Sequence, residues 1–247
     1  MHDGDRHGHW TSPLGRGLPV PSRRVRLSSR TWTELAADRP PLVCVPVGSC
    51  EQHGPHLPLD TDTVIAQALA GALAERRPDV VVGPTLAITA SGEHAAFPGT
   101  LSIGTAALTN VLIELARSAD WAVGLVLVNG HGGNRHAVDA AIGTIAAEGR
   151  AALAWWPSIP DGDAHAGLTE TALMLALDPT AVRLKRAAAG STEPIERLAD
   201  RLRTEGVRAV SPNGVLGDPA GATVEHGRRL LAALVDDLTA AVGAWRP

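Results

Sequence analysis

The stretch PLVCVPVGSCEQHGPHLPLDTDT, residues 41–63, contains both a fold-defining element and a candidate site. Its first eight residues form a continuous apolar run, which is typical of a strand buried on both faces. The next residues are different in kind, because two histidines and three carboxylates stand among prolines, a glycine and leucines between Glu51 and Asp62. That mixture is too polar for a core strand and too apolar for a solvated loop. The stretch therefore predicts a strand that leads directly into a functional loop.

The rest of the chain alternates between short apolar runs and longer segments with apolar residues at helical spacing. The predicted strands are 41–48, 79–84, 122–130 and 151–156. The predicted helices are 63–77, 107–119, 135–149, 169–177 and a last helix after Thr223. Such alternation is typical of an α/β fold, with a mostly parallel sheet covered by helices on both faces. We find no internal repeat and no long linker. We therefore expect one domain over residues 30–247, preceded by a disordered or extended lead-in over residues 1–29.

Composition limits the classes of function. The chain has 247 residues, 45% of them hydrophobic, which suffices for a full core. A net charge of −4 without a basic run argues against nucleic-acid binding. No apolar run reaches the roughly 18 residues of a membrane span, and the polar, Gly/His-rich start lacks the apolar part of a secretory signal.

The two cysteines, Cys44 and Cys50, are too close together and too isolated to form a disulfide framework. We therefore expect a cytoplasmic protein that acts on a small molecule or a peptide. The histidines of the N-terminal segment, His2, His7 and His9, are expected to bind metal only adventitiously.

Three polar clusters follow three predicted strands at the point where each strand ends. They are GSCEQHG (48–54), NGHGGN (129–134) and DGDAHAG (161–167). Taken singly, each also fits a solvated loop or a Gly-rich turn, and NGHGGN is not a P-loop because no Lys-Ser/Thr follows its glycines. Ligand sites of open parallel sheets lie at the carboxyl ends of the strands. The three clusters together therefore predict one site assembled from separate loops.

The candidate ligands of this site combine carboxylates with imidazoles, a set suited to Zn, Mn or Fe(II) rather than to calcium. Four of them form the initial set: Glu51, His53, Asp62 and His131. Adding His165 and Glu170 makes enough ligands for two ions that share one bridging carboxylate. Two such ions polarise a carbonyl group and activate a water molecule at neutral pH. The set therefore predicts hydrolysis of a C–N bond.

Five motifs resemble, in order and spacing, those of the creatininase family of metal-dependent amidohydrolases. They are PVGSCEQHGPHLPLDTD (46–62), SGEHAAFPGTLSIG (91–104), VNGHGGN (128–134), HAGLTET (165–171) and GVLGDPAGATVEHG (214–227). The Cys-containing first motif is similar to that of a peptidase branch of the family. The resemblance to that branch implies removal of the C-terminal Val-Tyr portion of a modified precursor peptide.

The family resemblance also implies a three-layer α/β/α sandwich that assembles as a homohexamer. It assigns Glu51, Asp62 and His131 to one ion, and His53, the shared Asp62 and a further glutamate to the other. In the creatinine-hydrolysing branch that glutamate stands two residues after the equivalent of His131.

This chain departs from that pattern, because Gly133 occupies the position of the further glutamate. We expect Glu170 to replace it as a ligand, and His165 to carry a proton from the attacking water to the leaving nitrogen. Glu93 is expected to support the ligands rather than to react. One of the two neighbouring tryptophans, Trp155 or Trp156, is a candidate for the substrate pocket, although either fits a core position equally well.

Two alternatives to the peptidase stay open. One is hydrolysis of creatinine, of another cyclic amide or of a formamide, against which the glycine at 133 argues. The other is a scaffold or binding protein that has kept the fold and lost catalysis. Erosion of the ligand set would indicate the scaffold, and here every candidate ligand is present.

Overall fold

A parallel four-stranded sheet forms the centre of the molecule, for which the computed structural model describes residues 25–37 and 39–247. The strands of the described residues lie in the order β2-β1-β3-β4 and all pair in parallel. They are β1 (Leu42–Val47), β2 (Val80–Val82), β3 (Gly124–Asn129) and β4 (Ala152–Trp155). Each strand lies within one of the four predicted runs, which confirms the predicted sheet.

The two central strands end level with each other. Every residue of β1 and of β3 is buried, as expected for parallel strands covered on both faces. They pair from Leu42 opposite Gly124 to Val47 opposite Asn129. The loops that leave the two strands therefore start side by side at the carboxyl edge of the sheet.

Helices cover both faces of the sheet and complete three α/β/α layers. They are α1 (Trp32–Ala37), α2 (Thr61–Arg76), α3 (Thr105–Ser118), α4 (Arg135–Ala147), α5 (Leu168–Leu177), α6 (Ile195–Glu205), α7 (Val207–Val210) and α8 (Val224–Ala244). Helices α2, α5 and α8 form one core with Val126 and Val128, whereas α3 and α4 form the other with Leu125 and Leu127. Successive side chains of a strand point to opposite faces. An unbroken apolar strand thus needs both layers, and the predicted fold class is confirmed.

Two parts of the helix prediction need correction. Helix α2 begins at Thr61, two residues before the predicted start, so Asp62 lies in its first turn rather than in the preceding loop. Helices α1, α6 and α7 were not predicted. A signal for α6 was present, because Ile195, Leu198 and Leu202 recur at helical spacing.

The first described residues run along the edge of the sheet. The N–H of Val82 donates to the carbonyl oxygen of Val25 at 2.7 Å, and Arg26 forms a parallel bridge with Val82. Residues 1–24, with the three N-terminal histidines, lie outside the described residues, so the lead-in and its boundary at residue 30 stay predictions. None of the helices in the described parts of the chain has both the length and the apolar character that crossing a membrane requires.

Candidate metal centre

The six predicted site residues come from five segments that meet at the carboxyl edge of the sheet. These are the loop after β1 (Glu51, His53), the first turn of α2 (Asp62), the loop after β3 (His131), the loop before α5 (His165) and the first turn of α5 (Glu170). Five of the side chains are buried, and that of Glu170 is 18% exposed. The structure therefore brings all the predicted candidates together.

Glycines and hydroxyl groups hold Asp62 at the centre. A Cβ at Gly48 would lie 2.4 Å from the Cα of Thr63, and one at Gly130 would lie 2.6 Å from the carbonyl oxygen of Asp62. Only glycine therefore lets the first turn of α2 approach both central strands. The hydroxyl of Thr63 donates to the carbonyl oxygen of Ser49 at 2.9 Å, and the hydroxyl of Ser49 donates to Oδ2 of Asp62 at 2.8 Å.

The carboxylate of Asp62 lies between two histidines. Its Oδ1 is 3.0 Å from Nε2 of His53, and its Oδ2 is 3.3 Å from Nδ1 of His131. Each carboxylate oxygen thus faces a different imidazole, which is the arrangement that a bridging ligand needs.

Glu51 gives the clearest sign of a bound cation. Its side chain is fully buried, and among the described residues neither carboxylate oxygen has a hydrogen-bond partner. The nearest polar atoms are Nε2 of His131, 3.1 Å from Oε2, and Nε2 of His94, 3.3 Å from Oε1. A buried carboxylate without hydrogen bonds is strongly unfavourable unless a positive charge neutralises it. Carboxylates with imidazoles are common ligands of divalent transition metals, so the residues fit such an ion.

Glu170, in the first turn of α5, faces His53. Asp163 accepts the N–H groups of the first two residues of α5 and so holds the start of the helix. The Oε2 of Glu170 accepts the N–H of Ala166 at 2.6 Å and lies 3.7 Å from Nε2 of His53. Burial raises the pKa of the Glu170 carboxyl to about 7, although the positive charge of His53 opposes this shift.

The described residues contain three groups of possible metal ligands, and within each group the ligand atoms lie within 4.8 Å of one another. They are Glu51 with Asp62 and His131, His53 with Asp62 and Glu170, and Glu51 with His53 and His165. The first two coincide with the two ligand sets expected for a pair of ions, Asp62 being common to both.

Gln52 fixes the orientation of His165. The side-chain nitrogen of Gln52 lies 3.0 Å from the carbonyl oxygen of Gly214, 2.9 Å from Nδ1 of His94 and 3.1 Å from Nε2 of His165. Its two protons suffice for the first two contacts. Nε2 of His165 is therefore assigned a proton that it donates to the backbone carbonyl of Gln52 at 2.9 Å. The lone pair of Nδ1, 3.8 Å from Oε1 of Glu51, faces the centre.

The contact with Gln52 also determines which ring nitrogen of His94 carries a proton. Because the amide nitrogen of Gln52 is only a donor, Nδ1 of His94 accepts from it. Nε2 of His94 then carries the proton and faces Oε1 of Glu51. His94 is therefore neutral, and its ring packs 4.6 Å from that of His165, measured between centroids.

The histidines of the centre divide into two protonation states. Burial alone would lower the pKa of His53, but the charge of Asp62 outweighs it and raises the pKa to about 10. The carboxylates around His131 likewise outweigh burial and raise its pKa well above the usual value. Burial lowers the pKa of His94 and, much further, that of His165. In the metal-free protein His53 and His131 thus carry positive charge among the carboxylates, which a bound metal ion would replace, whereas the other two rings are neutral.

A cleft of about 260 Å³ adjoins the centre, with Glu170 in its wall. Leu173 and Trp156 provide apolar lining, and Arg135 places its guanidinium 4.4 Å from the centroid of the Trp156 ring. Trp155 points elsewhere, because it is buried in the core and donates its indole N–H to Asp237 at 2.7 Å. Of the two tryptophans, only Trp156 lines the cleft.

Sequence reasoning missed two amides that hold the loops. Gln52 is one, and no local pattern indicates its contacts. Asn134 is the other, since its side chain donates to the carbonyl oxygen of Gly48 at 3.1 Å and accepts the N–H of Ala90 at 3.1 Å. Its position at the end of NGHGGN, next to the start of α4, was the available signal.

The fold and the site together define a class, the hydrolases that act on amide bonds with bound metal ions. The chain belongs to the creatininase family. The sequence model of that family, described as creatinine amidohydrolase, matches residues 28–242. The family predicted from the motifs is therefore confirmed.

Curated relatives bear more specific names. The chain is 50% identical to the mycofactocin precursor peptide peptidase of Mycolicibacterium smegmatis, over 84% of this chain and 86% of the relative. It is 49% identical to the protein of the same name from Mycobacterium tuberculosis H37Rv, over 96% of each chain. A creatinine amidohydrolase from Pseudomonas putida is 32% identical over 67% of this chain and 76% of the relative.

Solved structures agree with the family. A crystal structure of creatinine amidohydrolase (creatininase) matches with a TM-score of 0.73 and 28% identity, covering 89% of this chain and 96% of that one. A structure named Creatininase Mn matches with a TM-score of 0.71 and 28% identity, covering 88% and 97%.

Proposed function

We propose that this chain is a dinuclear metal-dependent peptidase that releases the C-terminal, Val-Tyr-derived part of a modified precursor peptide in mycofactocin biosynthesis. The observation that carries the metal-dependent part is the buried carboxylate of Glu51, both of whose oxygens lack a hydrogen-bond partner among the described residues. The names of relatives about half identical over most of the chain support the substrate.

In this proposal Glu51, Asp62 and His131 hold one ion, and His53, Asp62 and Glu170 hold the other. The distances between their ligand atoms support this division. Zinc, manganese and iron(II) all accept this donor set, and availability in the cell decides much of the choice. When bound, the two ions would polarise the scissile carbonyl group and lower the pKa of a water molecule.

His165 moves the proton. Its Nε2–H is held by the carbonyl oxygen of Gln52, so the lone pair of Nδ1 faces the reacting groups. Burial lowers the pKa of His165 well below its usual value, so the ring is neutral and the lone pair of Nδ1 is free. His165 then takes a proton from the attacking water and donates it to the leaving nitrogen of the amide.

The cleft beside Glu170 receives the part of the peptide next to the scissile bond. Its volume of about 260 Å³ suits a small portion of a peptide rather than a whole precursor. The indole of Trp156 and the side chain of Leu173 offer apolar contact to a Val-Tyr-derived group. Arg135, stacked on Trp156, also lines the cleft.

The proposal also covers the assembly, the domain extent and the cellular location of the enzyme. Family resemblance supports a homohexamer and a single domain over residues 30–247. Cys44 and Cys50 are both free thiols, which supports a reducing, cytoplasmic setting. Light scattering of the purified protein tests the hexamer, and a monomeric mass would contradict it.

The test combines metal analysis with a choice of substrates. The protein is loaded with zinc, manganese or iron(II), its metal content is measured, and release of the C-terminal fragment is followed by mass spectrometry. Creatinine, a formamide and the unmodified precursor serve as parallel substrates. Metal-loaded protein that hydrolyses creatinine and leaves the modified precursor intact would contradict the peptidase. Protein that retains no metal would favour a scaffold.

A further inference from the structure

The carboxylate of Glu93 occupies the space that a side chain at position 133 would need. A Cβ built on Gly133 would lie 2.0 Å from Oε1 of Glu93, 2.4 Å from Nε2 of His131 and 2.9 Å from the carbonyl oxygen of Ala90. Each distance is shorter than non-bonded atoms tolerate. Glu93 in its present position and a side chain at 133 therefore exclude each other.

Glu93 is held in that space by its backbone. It lies in the single 3₁₀ turn Gly92–His94, beside the buried ring of His94. Gly206, at the junction of α6 and α7, packs on the same turn, since a Cβ there would lie 2.9 Å from the carbonyl oxygen of Glu93. The side chain of Glu93 is only 26% exposed and points inward to His131.

The contacts of His131 show what this carboxylate does. Nε2 of His131 faces three oxygen atoms, namely the carbonyl of Ala90 at 3.1 Å, Oε2 of Glu51 at 3.1 Å and Oε1 of Glu93 at 3.3 Å. All three are acceptors, so Nε2 is the nitrogen that carries the proton. The other nitrogen, Nδ1, lies 3.3 Å from Oδ2 of Asp62 and would offer its lone pair to an ion bound there once it has lost its proton.

We propose that Glu93 is a positioning residue for His131, and that it supplies from the turn at 92–94 the carboxylate that a side chain at 133 would otherwise place there. The inference rests on the metal centre proposed above, to which His131 belongs. Partners that hold the distal N–H of a ligating histidine fix its orientation and make it a better ligand. If Glu51 binds an ion, Glu93 and the carbonyl of Ala90 are the partners that remain for this N–H.

Glu93 and Glu170 thus contact different histidines. Glu170 lies 3.7 Å from Nε2 of His53, whereas Glu93 lies 3.3 Å from Nε2 of His131. Two glutamates therefore replace the carboxylate that is absent at 133. Glu170 lies on the side of His53, and Glu93 lies next to Gly133.

The experiment titrates cobalt(II) into metal-free protein and records both calorimetry and the visible absorption spectrum. In Glu93→Gln, which keeps the shape of the side chain, one of the two ions should bind about 10–100-fold more weakly, and its absorption bands should shift. The second ion should bind as in the wild type. Glu225→Gln, an exposed glutamate at the start of α8, serves as the control and should match the wild type.

A double variant tests whether a glutamate at position 133 can take the place of Glu93. Gly133→Glu alone should weaken the same ion, because its side chain collides with Glu93 and His131. Combining Gly133→Glu with Glu93→Gly removes the shortest of the three contacts, the one with Oε1 of Glu93, and should recover part of the affinity that Gly133→Glu alone loses.

Unchanged binding of both ions in Glu93→Gln would overturn the inference and leave the metal centre intact. Absence of recovery in the double variant would overturn the exchange of position between Glu93 and a glutamate at 133. A wild-type protein that binds no cobalt would overturn the centre itself, and this inference with it.

Discussion

The replacement Glu170→Gln isolates one ligand while leaving the fold in place. Oε2 of Glu170 accepts the N–H of Ala166 at 2.6 Å, and the amide oxygen of glutamine can accept the same bond. Asp163 continues to hold the start of α5. We therefore expect the free energy of unfolding of the metal-free protein to change by less than about 1 kcal/mol.

The replacement Glu170→Gln is instead expected to weaken metal binding. A carboxylate and a unit positive charge about 4 Å apart attract by about 4 kcal/mol at an effective dielectric constant of 20. The real loss is smaller, because the pKa of Glu170 is raised to about 7 by burial and the carboxyl is part-protonated at neutral pH. We expect roughly 100-fold weaker binding of one ion, or about 2.7 kcal/mol.

The assay is elemental analysis after dialysis, followed by calorimetric titration of the metal-free variant. Wild-type protein should hold two ions per chain and Glu170→Gln only one, with Glu225→Gln as an exposed Glu-to-Gln control. Two ions held with wild-type affinity in Glu170→Gln would refute the assignment of Glu170 as a ligand.

Three further predictions concern the centre. Asp62→Asn should lose both ions, because Asp62 faces both imidazoles; a variant that retains one ion at full occupancy in elemental analysis would contradict the bridging role. His165→Gln should keep both ions and lower kcat by about 10²–10⁴-fold in steady-state assays; an unchanged kcat would contradict proton transfer by His165. The metal-free protein should lose stability as the pH rises from 6.5 toward 10. The pKa of His53 is raised to about 10, so its attraction to Asp62 contributes fully to stability below the ordinary pKa of 6.5 and is lost above 10. Urea unfolding at several pH values measures this, and a stability that is flat or rising over that range would contradict it.

Much of the sheet could be predicted from the sequence because its strands are short and almost wholly apolar. The runs at 41–48 and 122–130 contain β1 and β3, whose residues are all buried. The strand order could not be read in the same way. It depends on pairings between residues far apart in the chain, such as Leu42 with Gly124.

The site was predictable where a motif holds several polar residues close together. Glu51, His53 and Asp62 lie within one loop and the first turn that follows it. The contacts of Gln52 were not predictable, because its side chain meets residues 42, 113 and 162 positions away. The position of Glu93 also depends on the space left by Gly133, which only the folded chain brings next to it.

Release of the C-terminal fragment from the modified precursor peptide, compared between metal-loaded and metal-stripped protein, tests the central claim most directly. Mass spectrometry should detect the Val-Tyr-derived fragment with metal-loaded protein, lose it after metal removal and recover it when a divalent ion is restored. Equal release from metal-stripped protein, or no release by protein that holds two ions, would contradict the account.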